Sequence, residues 1–220
     1  MRLSWVLSLA AAATLGPAPQ PILALENGVE VVADGVTVRV QFLSDDTVRV
    51  LKWPSSGSAA KCSLAVPPQA PASLNVEHED TRQAAVVRSD RLEVRVGKAD
   101  GRVSFATRFG ASVVSEAGPA AFTSFVSPFE KALSVEQSFA LTADEGLYGL
   151  GQHQEGYMNY RGRTLTLVQT NTDAAIPVLV STQGWGVLWD NTSKTVFRDS
   201  PDNASLWSEV GDNVDYYLFY

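Results

Sequence analysis

The chain has 220 residues, with 24 acidic against 17 basic side chains, a net charge of −7 and no basic run. That balance argues against a nucleic-acid partner, which needs a patch of cations facing phosphates. The length allows one large all-β domain or two small ones with a core that needs no staple, and Cys62, standing alone, cannot close an intramolecular disulfide.

The chain opens Met1-Arg2 and runs apolar from Leu3 to Leu15, broken only by Ser4, Ser8 and Thr14. One positive charge followed by a short apolar run reads as a signal peptide rather than a membrane span. Gly16 to Pro21 breaks helix, and small residues between Ala10 and Ala24 offer several cleavage points. Residues 1–24 are therefore expected to be removed, leaving 25–220 as a secreted domain (periplasmic in a bacterial host) with no membrane span. Asn191-Thr192-Ser193 and Asn203-Ala204-Ser205 match the glycosylation pattern and matter only in a eukaryotic secretory route.

Val36, Val38, Val40 and Phe42 alternate with Thr37, Arg39 and Gln41, the period of a half-buried strand. Ser44-Asp45-Asp46 turns this run into a second strand, Thr47 to Trp53. Pro54 to Ser73, about twenty residues rich in Pro, Ser and Ala, has no sustained period and reads as a long loop. Ala85–Ser89 and Leu92–Val96 form a second hairpin, and Asp100-Gly101 turns the chain into Arg102–Phe105. Further strands are expected over Lys131–Phe139, Thr164–Val168, Ile176–Ser181, Trp185–Asp190 and Asp215–Tyr220. No segment offers an amphipathic helix of three turns. Many short strands with frequent turns predict an antiparallel β-sandwich. The run Tyr216-Tyr217-Leu218-Phe219-Tyr220 is a sticky strand at the very end, a hazard unless paired or covered, and it reads as a truncation point.

Three stretches of the last third carry most of the chemistry. Leu147-Tyr148-Gly149-Leu150-Gly151-Gln152-His153 has two glycines that permit special backbone angles or a close approach. Gln169, Asn171, Thr172 and Asp173 cluster after a strand and could pair with sugar hydroxyls as donors and acceptors, or simply make a polar turn. Gly184-Trp185-Gly186-Val187-Leu188-Trp189-Asp190-Asn191 puts Trp185 and Trp189 on one strand face with Val187, a spacing more common in cores than in sugar-stacking platforms. Cys62, His78 and His153 have no metal-ligand spacing, and no nucleophile–base–acid triad assembles.

Together these stretches resemble the N-terminal β-sandwich of family 31 glycoside hydrolases, the α-xylosidase and α-glucosidase group, a galactose-mutarotase-like fold. The Tyr-Gly-Leu-Gly-Gln-His run is the most specific match; before Leu147 the resemblance is diffuse. The resemblance implies a retaining enzyme on terminal α-linked xylose or glucose, with no metal or organic cofactor. It also places the catalytic carboxylates in a following barrel, so no catalytic residue is assigned here and the chain is expected to be inactive alone. Its partners would be that barrel in cis and an α-linked oligosaccharide or glycoside. By the same resemblance a loop of the sandwich reaches over the barrel mouth. Gln169, Asn171, Thr172 and Asp173 are then the substrate-binding residues, with His153, Trp185, Trp189 and Asp190 as loop or interface support. Thr170-Asn171 stands where mammalian maltases carry an Arg-Asp pair, which leans toward the xylosidase-like branch. Asp173 and Asp190 are not assigned as an acid–base pair, since retaining chemistry needs carboxyls about 5–5.5 Å apart. The rival expectations are a free-standing secreted carbohydrate-binding module and a structural adhesion domain.

Overall fold

The computed structural model describes residues 22–61, 63–67, 74–126 and 131–220. Most of the expected leader, Cys62 and part of the Pro-rich stretch lie outside the described residues. The first strands form a meander: β1 (Ile22–Leu25), β2 (Gly28–Ala33), β3 (Val36–Ser44) and β4 (Thr47–Pro54). Between β2 and β3, Asp34 and Gly35 both have positive φ, 47° and 76°, as a two-residue hairpin turn with the twist of its strands requires. β1 begins three residues inside the segment expected to be cleaved, and Leu23 and Ala24 pair with Glu30 and Val29. A cleavage point ahead of Ile22 leaves that pairing whole.

A second meander follows: β5 (Glu77–Asp80), β6 (Ala84–Arg88), β7 (Leu92–Gly97), β8 (Val103–Thr107) and β9 (Ser112–Ser115), a five-stranded sheet in chain order. The rest of the chain is shared between two sheets. Its strands are β10 (Ala121–Val126), β11 (Lys131–Ala140), β12 (Leu147–Gln152), β13 (Thr164–Leu167), β14 (Ala174–Ser181), β15 (Gly186–Trp189), β16 (Thr195–Ser200), β17 (Asn203–Gly211) and β18 (Val214–Phe219). One sheet runs β10-β11-β17-β16-β13; the other adds β18, β15, β14 and β12 to the first meander, giving eight strands. All strand pairs are antiparallel, and the described residues contain no helix. The all-β antiparallel expectation holds.

One buried cluster joins the three sheets, with Val38 and Val50 from the long sheet, Val94 and Phe105 from the second meander, and Phe139 and Leu206 from the third sheet. The C-terminal run is not a loose edge. β18 lies between β4 and β15, and Val214 to Leu218 are all buried. Its stickiness is that of a central strand buried on both faces, so the sequence signal marked the middle of the long sheet rather than an unprotected end. Trp185 and Trp189 are 1% and 0% exposed. The Trp189 indole donates to Ser208 Oγ at 2.8 Å, and neither ring offers a stacking face.

A polar knot ties the sheets together. Lys52, 1% exposed on β4, donates to Glu116 Oε2 at 2.5 Å, the Gly101 carbonyl at 3.1 Å and Gln137 Oε1 at 3.1 Å. Glu116 also accepts from the Val103 amide at 2.6 Å and from the Tyr216 hydroxyl at 2.8 Å. Burial pushes the Lys52 ammonium down and the Glu116 carboxyl up, against their mutual attraction. A backbone bridge between Glu116 and Phe139 joins the two five-stranded sheets at the same place.

Candidate functional site

β12 is an edge strand of the long sheet, and its Gly-Leu-Gly segment is its strongest local constraint. Gly149, Leu150 and Gly151 have φ of 103°, 59° and 100°. The register with β14 slips between Gly149 and Gly151, a bulge that re-aims the strand. Only glycine fits the flanking positions: an added Cβ would lie 2.3 Å from the Val178 carbonyl oxygen at 149 and 1.9 Å from that of Ala174 at 151. Leu150 accepts a left-handed backbone, a cost of about 1–2 kcal/mol, while its side chain is fully buried.

His153 completes the bulge. Its Nε2 lies 2.8 Å from the Leu150 carbonyl, and its Nδ1 is 3.9 Å from Asp173 Oδ1. The imidazole thus links the Gly-Leu-Gly strand to the polar loop, an ion pair whenever it is protonated. The loop closes on itself: Thr170 Oγ1 donates to Asp173 Oδ2 at 3.2 Å, and the Asp173 amide donates back to Thr170 Oγ1 at 3.3 Å. Gln169 Oε1 accepts from the Ala175 amide at 3.2 Å. Asn171 and Thr172 are exposed at the tip. Gln169 and Asp173 therefore shape the loop, whereas Asn171 and Thr172 present free polar groups.

Asp190 sits elsewhere. It is 3% exposed and lines a cavity of about 430 Å3 behind the loop, a cavity that Gln169 also lines but Asn171, Thr172 and Asp173 do not. Its neighbours form a charge cluster that the sequence reading did not assemble. Arg49 grips Asp215 with two hydrogen bonds, 2.7 and 3.0 Å, and Lys61 lies 3.2 Å from Asp215 and 3.6 Å from Asp190. Arg49 is held above its ordinary pKa by that hydrogen-bonded pairing. The long-range pairing of Arg49 with Asp215 could not be read from local pattern, since 166 positions separate them. Asn191 is also engaged: its Nδ2 donates to the Val210 carbonyl at 3.0 Å and its Oδ1 accepts from the Ser193 amide and hydroxyl, each at 2.8 Å. A glycan on that nitrogen would break the turn.

Tyr217, on the same strand as Asp215, has its phenol pushed up to about 12, first by burial and then by the Asp215 charge. A phenol whose pKa is raised on folding favours the native state only while it stays protonated. Stability should therefore be full below about pH 10, the unfolded value, and fall as pH rises toward 12. Urea midpoints across that window, compared with Tyr217→Phe, check it; an equal decline in the variant would remove Tyr217 as the cause.

Residues 37–197 match the family described as the glycosyl hydrolase 31 N-terminal galactose mutarotase-like domain. An α-xylosidase of Saccharolobus solfataricus is 32% identical over 196 residues, which is 84% of this chain and 26% of that protein. The crystal structure of a GH31 α-xylosidase from Xanthomonas citri superposes with a TM-score of 0.74 at 35% identity, covering 80% of this chain and 20% of that one. A GH31 α-xylosidase from a soil metagenome, solved with xylose, gives 0.79 at 19% identity, covering 90% of this chain and 32% of that one; at that identity it shares the fold alone. The chain thus spans about a quarter of the S. solfataricus protein and a fifth of the X. citri one. Matched by that family over most of its length, the chain belongs to the N-terminal galactose mutarotase-like domains of glycoside hydrolase family 31.

Proposed function

We propose that this chain is the accessory sandwich of a secreted retaining α-glycosidase acting on terminal α-linked xylose or glucose, packing on a catalytic barrel and lending it the Gln169–Asp173 loop. The observation that carries the reading is the tip of that loop. Asn171 and Thr172 have no side-chain hydrogen bond among the described residues, while the loop beneath them is closed by Thr170, Asp173 and His153. Free amide and hydroxyl groups on a braced loop suit sugar hydroxyls, because little ordering remains to be done on binding. Beside the loop, the β12–β14 edge exposes Tyr148, Ile176 and Val180, with Tyr148 and Val180 paired across the strands. That apolar edge gives a neighbouring domain something to cover. The α-xylosidase names of the relatives favour xylose over glucose.

The test uses the full-length protein that carries this chain. Asn171→Ala and Thr172→Ala should each lower kcat/KM on an α-xyloside about ten- to a hundredfold, the effect of about 1–3 kcal/mol for a hydroxyl left without its partner in the transition state. The 220-residue chain alone should show no turnover above an inactivated control. Parental kcat/KM in both variants would remove the loop from the substrate pocket, and clear hydrolysis by the chain alone would place catalysis within it.

A further inference from the structure

We infer that His153 is a positioning residue: protonated, it pins Asp173 and so orders the Gln169–Asp173 loop, and the hold slackens when the proton leaves. Its bearing on substrate rests on the proposed reading of that loop as part of a sugar pocket; the brace itself does not.

The brace begins at the bulge. The register between β12 and β14 gives Gly149 and Gly151 partners in Leu179 and Ala175 but gives Leu150 none. Between those two partners β14 runs through Ile176, Pro177 and Val178, and Pro177 has no N–H to give. The Leu150 carbonyl is taken up by His153, whose Nε2 lies 2.8 Å away. That contact fixes the ring, only 3% exposed, with its other nitrogen toward the loop. Nδ1 then stands 3.9 Å from Asp173 Oδ1.

Both atoms that meet the ring are acceptors, and this decides which charge state suits the geometry. A neutral imidazole carries one N–H. With the proton on Nδ1, a lone pair on Nε2 confronts the Leu150 carbonyl at hydrogen-bond distance. With it on Nε2, the carbonyl is served but a lone pair on Nδ1 faces the carboxylate. Only the imidazolium offers N–H to both sides. The two contacts differ in kind: 2.8 Å is a hydrogen bond, whereas 3.9 Å is charge attraction without one. A neutral ring keeps the first and loses the second, so the strand stays in place and the loop responds. Burial of the ring opposes its charge, and the two acceptors favour it. Asp173 is the charged group paired with the ring. Glu155, two residues along, is exposed, and His153 makes no other ion pair among the described residues.

Asp173 is the point from which the loop is held. Its Oδ2 accepts from Thr170 Oγ1, and its amide donates to the same hydroxyl. Fixing its other oxygen therefore fixes the turn that carries Asn171 and Thr172. The loop is tightest where the imidazole is charged and loosens as pH rises through the range in which histidine titrates, about pH 5–8.

Amide exchange in the 220-residue chain, each rate divided by that of an unstructured chain at the same pH, measures the hold. Protection at Thr170, Asp173 and Ala175 should be about two- to fivefold higher at about pH 5.5 than at about pH 8, the worth of a partly exposed ion pair. Protection in the second meander should not change. His153→Gln keeps an N–H for the Leu150 carbonyl but carries no charge, and should remove the difference. Asp173→Asn, in a surface loop, should remove it as well, so the result does not hang on a variant of a buried ring. In the full-length protein, the KM of His153→Gln on an α-xyloside should exceed the parental value about two- to fivefold at the lower pH and match it at the higher, with the kcat ratio constant. Equal parental protection at the two pH values would overturn the inference, as would a pH dependence that survives in either variant. A KM ratio that ignores pH while protection follows it would remove the loop from the substrate pocket and leave the brace standing.

Discussion

Replacing Lys52 with methionine is expected to cost about 3–5 kcal/mol of folding free energy, the range for removing one partner of a buried ion pair. The variant leaves the Glu116 carboxylate, 3% exposed, with only the Val103 amide and the Tyr216 hydroxyl as donors, and strips the Gln137 oxygen and the Gly101 carbonyl of their shared donor. Burial is the leading influence on both charges, lowering Lys52 and raising Glu116, so the pair gains little beyond offsetting its own desolvation. The double variant Lys52→Met, Glu116→Leu leaves no lone charge buried but takes the acceptor from the Val103 amide and the Tyr216 hydroxyl. It should therefore cost clearly less than the sum of the singles without returning to parental stability. Urea midpoints at unchanged m-value measure it. A single-variant loss below about 1 kcal/mol would mean the knot is solvated, and a double variant equal to the sum of the singles would mean that the two groups act independently.

How much of this was legible depended on the range over which each signal acts. The meander β1–β4 and the Ala85–Val96 hairpin follow from alternation and turn residues, which are local, and Asp34-Gly35 would have marked its turn directly. The buried lysine also had a local trace: Lys52 continues the inward series Val48, Val50 on β4. Its partner Glu116 had none, because it lies just beyond β9 and is fixed by a bridge to β11. The C-terminal run announced a strand that needs cover, which β4 and β15 supply on either side, but hydrophobicity alone cannot tell a strand exposed at an edge from one buried on both faces. At the site, the sequence marked the polar loop but could not divide it. Thr170 and Asp173 close the turn and Gln169 braces Ala175, which leaves Asn171 and Thr172 as the groups with free hydrogen-bonding capacity. Asp190 looked like a strand terminator because the cavity it lines is assembled from the Leu64 loop, the end of β13, β14 and the turn after β15, four segments that are not contiguous in sequence.

Gly151→Ala should be the most damaging single methyl added to this domain, costing about 2–4 kcal/mol. Two separate penalties act at that position. The backbone holds φ at 100°, where an L side chain is strained, and the new Cβ would stand 1.9 Å from the Ala174 carbonyl oxygen and 2.7 Å from the Ile176 amide nitrogen. Both obstacles are backbone of the neighbouring strand, so no rotamer relieves them and β12 must move away from β14. Gly110→Ala separates the two penalties: its φ is 88°, yet nothing lies within 4 Å of the added atom, so it should cost only about 1 kcal/mol. The damage at 151 also reaches the site. Gly151 pairs with Ala175 and Gln152 with Ala174, directly after Asp173, while His153 spans from the Leu150 carbonyl toward Asp173. Displacing β12 should therefore loosen the loop that presents Asn171 and Thr172. Faster amide exchange from Thr170 to Ala175 in Gly151→Ala, with the second meander unchanged, is the expected signature. Equal losses in the two glycine variants would show that backbone strain alone, and not the close approach of the strands, holds that glycine in place.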